Sequence, residues 1–114
     1  MEHKVIDHFE NKEPIVTSIY EKLISECEKF GPVVQSSKKT SIHLDAKSGF
    51  VGVYTRKDYL LLHIHTNFDI DNPRIEKTEK ISANRFKHIV RVTNPDEIDK
   101  QLIDWLKLAY KLKS

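Results

Sequence analysis

The hydrophobic residues of this 114-residue chain change their period twice. Ile15, Ile19, Leu23 and Cys27 recur at four-residue intervals, with Val16, Tyr20, Ile24 and Phe30 widening the stripe. That spacing puts the apolar residues on one face of a helix. Ile98, Leu102, Trp105, Leu106 and Ala109 repeat the pattern near the C-terminus. Between the two stripes the period falls to two: Ile42 and Leu44 alternate with Ser41, His43 and Asp45. Side chains of period two face one way only on a strand. The middle of the chain therefore has to be sheet, flanked by two helices.

Local signals set the boundaries. Pro14 suits a first helical turn, where its missing N–H costs nothing. Gly31-Pro32 stops that helix, because Gly takes the positive-φ position after it and Pro cannot continue it. Val5, Ile6 and Phe9 predict a short helical turn ahead of it. Asn94-Pro95-Asp96-Glu97 resembles a capping box and predicts the start of the second helix, whose last turns carry Lys107, Lys111 and Lys113. The intervening strands are predicted around 42–45, over Phe50–Tyr54 and Tyr59–Thr66, then over Ile75–Ser82 and Phe86–Val92. Lys47-Ser48-Gly49, Arg56-Lys57-Asp58, Asp69–Pro73 and Ala83-Asn84-Arg85 supply the links. Short links without helices favour antiparallel pairing. The expected architecture is α+β in two layers: an antiparallel sheet of about five strands with N- and C-terminal helices packed on one face, forming a single domain over 1–114. Burial of Trp105 in the interface predicts that Trp105→Ala costs ~3–5 kcal/mol.

Composition excludes several classes. With 39 % hydrophobic and 32 % charged residues the chain is leaner than average but lies outside the disordered range. No apolar run reaches the ~18 residues of a membrane helix, and Met1-Glu2-His3-Lys4 does not open a signal peptide, so a cytoplasmic, non-membrane protein is expected. The single cysteine, Cys27, supports neither a disulfide framework nor a zinc cluster and falls on the apolar stripe. Only three glycines are present, so no phosphate-cradling Gly-rich loop exists, and no serine sits in a nucleophile elbow. Charge is uneven: residues 1–37 carry a net −3, residues 38–91 a net +5, and residues 92–114 balance. A locally basic surface attracts anions even when the overall charge is only +2.

The order of several short segments carries a resemblance. His8-Phe9-Glu10, Lys39-Thr40-Ser41-Ile42, Phe50, Asp71-Asn72-Pro73-Arg74, Glu79-Lys80-Ile81, His88, Glu97-Ile98-Asp99, Trp105-Leu106 and Ala109-Tyr110 follow one another as in a small bacterial domain of unknown function. The chain resembles that family over almost its whole length. The family is sometimes labelled "predicted transport protein" and is found alone or fused to nuclease-like domains. The resemblance implies no established activity and no catalytic residue.

Four of the six histidines, His43, His63, His65 and His88, lie in the basic middle segment. His63 and His65 share a strand face at i, i+2 and could converge on a metal if His43, His88 or Glu79 added a third ligand. Without such a ligand they are ordinary solvent-side residues, and no metal or other cofactor is expected. His88 lies between Phe86 and Val90 at period two, on an otherwise apolar face, which suits a hydrogen-bonded core residue but also an acid, base or anion donor. A cross-strand Glu79–His88 pair would serve either role. The cations Lys38, Lys39, Arg56, Lys57, Arg74, Arg85, Lys87 and Arg91, interleaved with Phe50, Tyr54 and Tyr59, suit a single-stranded nucleic acid or serve solubility and edge protection.

Two helices covering one side of a sheet leave the other side available. The expected function is therefore binding rather than catalysis. The ligand is a small anionic or polar molecule, or a protein partner, held on the helix-free face by Lys39, His43, Tyr54, His65, Arg85 and His88. The alternatives are a nucleic-acid-binding accessory module and a small metal-dependent hydrolase using the central histidines.

Overall fold

The computed structural model describes residues 4–114. A short 3-10 turn, Val5–Phe9, leads into helix α1, Pro14–Cys27. Strands β1 (Val34–Ser37), β2 (Ile42–Asp45), β3 (Gly49–Thr55), β4 (Leu60–Thr66), β5 (Ile75–Ser82) and β6 (Arg85–Val92) follow. A second 3-10 turn, Pro95–Glu97, precedes helix α2, Lys100–Lys113. The strands form one six-stranded sheet in the order β1-β2-β3-β4-β6-β5, with every adjacent pair antiparallel. Helix α2 lies over β3 and β4, and α1 packs beside it on β4 and on the turn at Pro95. The fold is α+β, as the change of period requires.

The core lies between helices and sheet. Val16, Ile19, Tyr20, Leu23 and Cys27 of α1 and Leu102, Leu106, Ala109 and Tyr110 of α2 meet Ile42, Leu44, Val51, Val53, Leu60, Leu62, Ile64, Val90 and Val92. Strand β4 alternates buried and half-buried residues without a break, so each register partner keeps its side. Burial raises the Cys27 thiol to about 12, with Glu26 and Glu28 adding to the effect, so it remains an inert core group.

Several boundaries differ from the sequence pattern, each for a local reason. Strand β1 is additional to the expected strands. It is a half-exposed edge of only four residues, too short and polar to show alternation. The Asn94 cap is real but serves the 3-10 turn: its side chain accepts from Asp96 N at 2.9 Å, while the Glu97 carboxylate accepts from Thr93 N at 2.9 Å. Helix α2 has its own N-cap, Asp99, which accepts from Leu102 N at 3.1 Å. Ile15 is 37 % exposed and lies outside the buried stripe, which Val16 joins instead. Trp105 is only partly buried, with the Arg74 guanidinium 6.0 Å from its ring centroid. A truncation there opens to solvent and leaves no closed cavity, so its cost falls below the core-cavity range expected from the stripe.

The one non-sequential step in the sheet matters for the histidines. Strands β4 and β5 both run antiparallel to β6, which separates them, so residues 67–74 cross β6 from end to end. The crossing lies on the helix side. At its far end Arg74 donates to Asp99 Oδ1 at 2.8 Å, to the Glu97 carbonyl at 2.8 Å and to Gln101 Oε1 at 3.2 Å.

Candidate functional site

Period-two alternation turns the odd members of β4 away from the helices. The cross-strand register then lines up His43, Gly52, His63 and Ile89 in one row. Tyr54, Leu61 and Arg91 form the row on one side of it; His65, Lys87 and Glu79 form the row on the other. His43, Tyr54, His63, His65 and Lys87 surround a depression of about 300 Å³ whose floor is Val51, Gly52 and Gly49. Gly52 keeps that floor low: a Cβ there would meet Tyr54 Cε1 at 3.4 Å and His63 Cβ at 3.7 Å.

The rings are packed rather than scattered. Tyr54 and His63 lie with centroids 4.3 Å apart and planes at 32°, and the Arg56 guanidinium sits 5.9 Å from the Tyr54 centroid. Burial lowers the His63 pKa below its ordinary value, Lys87 adds to the fall, and Glu79 opposes it. Burial likewise pushes His65 down to about 4, reinforced by Lys113, Lys87, His63 and Arg85. Both imidazoles are therefore neutral at pH 7, each with one N–H to donate and one nitrogen to accept.

A second depression, about 270 Å³, adjoins the first at the end of the sheet and shares His65 and Gly49 with it. Asn67, Asn84, Arg85 and Lys113 supply its polar lining, and Ile81, Phe86 and Leu112 its apolar lining. Lys113 reaches this place because the last turn of α2 is tied to the β2–β3 turn. Its carbonyl accepts from Lys47 N at 2.9 Å and Ser48 N at 3.3 Å.

His88 stands apart. It pairs with Ile64 on the helix-covered side and is fully buried, so it is not part of the open face on which it was expected. The Thr66 hydroxyl donates to the Phe68 carbonyl and accepts from His88 Nε2 at 2.9 Å, and Nε2 also lies 3.3 Å from that carbonyl. Nε2 therefore carries the proton, and Nδ1 accepts from the Thr78 hydroxyl at 3.1 Å. Every polar atom of the ring is used by a neutral imidazole, and burial lowers its pKa, opposed by the Phe68 carbonyl and Asp69. His88 pins the β4–β5 crossing onto β6. Glu79, the partner weighed for it in sequence, instead faces Lys87 at 3.5 Å.

The remaining expected residues divide. His43, Tyr54 and His65 come together, Arg85 joins them through the second depression, and Lys39 does not. Lys39 sits in the β1–β2 turn, at the end of the sheet opposite Arg85, and lines neither depression. Two other cations of the basic segment are engaged elsewhere: Arg74 at the start of α2, and Arg91 with Glu76 at 3.1 Å and over the Tyr59 ring at 4.6 Å. Gly49, Gly52 and Lys113 were not singled out from sequence. An isolated glycine inside a strand pattern is a signal that could have found Gly52, whereas nothing local points to Lys113.

His8 accepts or donates at Ser37 Oγ, 2.9 Å away, and His88 is fully bonded. The rings of His43, His63 and His65 make no hydrogen bond to another protein group among the described residues, and all three face one depression. Among those residues no group of three or more His, Cys, Asp or Glu could hold a metal ion, and no helix is long and apolar enough to cross a membrane. No curated protein and no solved structure matches the chain. The family model that does match, over residues 5–113, makes the chain a member of the family described as Domain of unknown function (DUF5655).

Proposed function

We propose that this domain is a binding module that takes a small anionic or polar ligand on the helix-free face of its sheet. The observation that carries the proposal is the convergence of three imidazoles, none bonded to protein among the described residues, on one depression beside Lys87. The neutral imidazoles of His63 and His65 present directed donors and acceptors. Lys87 supplies charge, and the Tyr54–His63 pair supplies a flat wall. A hydrocarbon would leave those ring nitrogens unsatisfied, which is costly where they are half-buried. The histidines act as ligand contacts in this proposal, not as catalysts.

The test is a titration of ¹⁵N-labelled protein with a panel of small organic anions (citrate, phenyl phosphate, a nucleoside monophosphate), read at amides and imidazole rings. Saturable shifts centred on His43, Gly52, Tyr54, His63 and His65 are expected, weakened at least fivefold by His43→Ala with His63→Ala. Shifts confined to the helix-covered side, or none at all, would overturn it. The rival nucleic-acid module, in keeping with the nuclease-like fusions of the resembled family, would instead show single-stranded DNA retention that falls steeply with salt. A metal-dependent hydrolase would show stoichiometric metal that His63→Ala with His65→Ala removes.

A further inference from the structure

The two depressions meet at His65, and three cations approach that junction from two elements, β6 and α2. Lys87 comes from β6, whose register sets it directly opposite His65. Arg85 comes from the start of the same strand, across the turn carrying Asn84. Lys113 comes from the end of α2, held there by the Lys47 and Ser48 amides on its carbonyl. The carboxylates nearby are Glu79, which faces Lys87 at 3.5 Å, and Asp45, which lies beside Gly49. Asn67 and Asn84 add amide donors to the same lining. Burial is the main cause of the low His65 pKa, and Lys113, Lys87 and Arg85 each add to it.

We propose that the junction over His65 is an oxyanion subsite for the phosphoryl group of a phosphate monoester, whose organic part lies along the Tyr54–His63 wall. This inference rests on the proposed function and specifies its ligand class. A carboxylate offers two oxygens, whereas a phosphoryl group offers three and a second negative charge, which suits a junction with three cations. Arg85 presents a planar fork of N–H groups, Lys87 and Lys113 act as point charges, and the His65 imidazole and the two asparagine amides provide neutral donors. The low floor at Gly49 and Gly52 connects the subsite to the depression lined by His43, Tyr54 and His63.

Inorganic phosphate and phenyl phosphate are titrated against the ¹⁵N-labelled chain, followed at the amides of Gly49, His65, Asn67, Arg85 and Lys113. Both probes are expected to give saturable shifts there, with phenyl phosphate binding more tightly and also moving Tyr54 and His63. Arg85→Ala with Lys113→Ala should weaken both probes at least tenfold, and because neither side chain belongs to the buried core the fold is retained. Lys57→Ala, a turn lysine on the opposite end of the sheet, should leave them unchanged. If organic anions shift His43, Tyr54 and His63 but the double variant binds phosphate as well as the parent, the oxyanion subsite is wrong and the binding-face proposal stands. Lys57→Ala weakening phosphate as much as the double variant would show non-specific charge attraction and overturn the subsite. If no anion shifts either depression, both proposals fall.

Discussion

At the scale of single residues, the histidines divide by how their ring nitrogens are used. His88 is satisfied on both nitrogens by Thr66, Thr78 and the Phe68 carbonyl, so its work is structural. His88→Ala should cost about 2–4 kcal/mol, from the cavity and from the partners left unpaired, as measured by urea unfolding. Binding on the open face should survive where the variant remains folded. A loss below about 0.5 kcal/mol would show that the crossing is not held there. His65 has a folded pKa of about 4 against the ordinary 6.5, with burial as the main cause and Lys113 next. As pH falls the unfolded chain takes up this proton first. The stabilising contribution is therefore complete above about pH 6.5 and is lost as pH drops toward 4. His63 and His88 shift in the same direction and add to the loss. His65→Gln should flatten the pH dependence of the melting temperature between pH 6.5 and 4, and an unchanged slope would contradict the assignment.

At the scale of elements, the connections decide more than the helices and strands themselves. Helix α1 ends at Cys27, and the chain turns through Gly31, whose φ is +147°. An added Cβ there would lie 2.5 Å from the Tyr110 hydroxyl oxygen, which donates to the Pro32 carbonyl at 2.8 Å. Gly31→Ala should therefore cost about 1–3 kcal/mol, through backbone strain and displacement of Tyr110. The same substitution at Gly52, where the nearest atom is 3.4 Å away and φ is ordinary, should be tolerated far better. Thermal unfolding of the pair distinguishes a demand of conformation from one of space. Helix α2 has a second role besides core burial. The Lys47 and Ser48 amides fix its last turn against the β2–β3 link, and so carry Lys113 to the end of the sheet.

At the scale of the whole molecule, the layers explain why there is one open face and where its floor lies. Helix α2 covers β3 and β4, and the 67–74 crossing covers β6 on that same side. The other side of the sheet keeps the odd-numbered rows of β4 half-buried and reachable. A ligand held there binds the folded chain and not the unfolded one. At a concentration about 100 times its Kd it should add roughly 2.7 kcal/mol, raising Tm by roughly 10 °C. Differential scanning fluorimetry with phenyl phosphate checks this, and a shift equal to that given by the same ionic strength of chloride would count against a specific site.

Much of this fold was legible because period is a local property. Ile19, Leu23, Leu102 and Leu106 announce helices; Leu60, Leu62 and Ile64 announce a strand with histidines on its reverse. Helix, sheet and the side on which His43, His63 and His65 lie follow from residue spacing alone. Spacing could not give the register between distant strands. Spacing set His88 with Phe86 and Val90, but only its pairing with Ile64 shows that this face is the helix-covered one, and Glu79 meets Lys87 because β5 shifts against β6. Nor could it place Lys39 and Arg85 at opposite ends of the sheet, or bring Lys113 beside His65 from 48 positions away in sequence. Alternation and apolar stripes are decided within a few bonds of the backbone. Which cations share a depression is decided by how strands pair and where a helix ends, and those come only with the packed molecule.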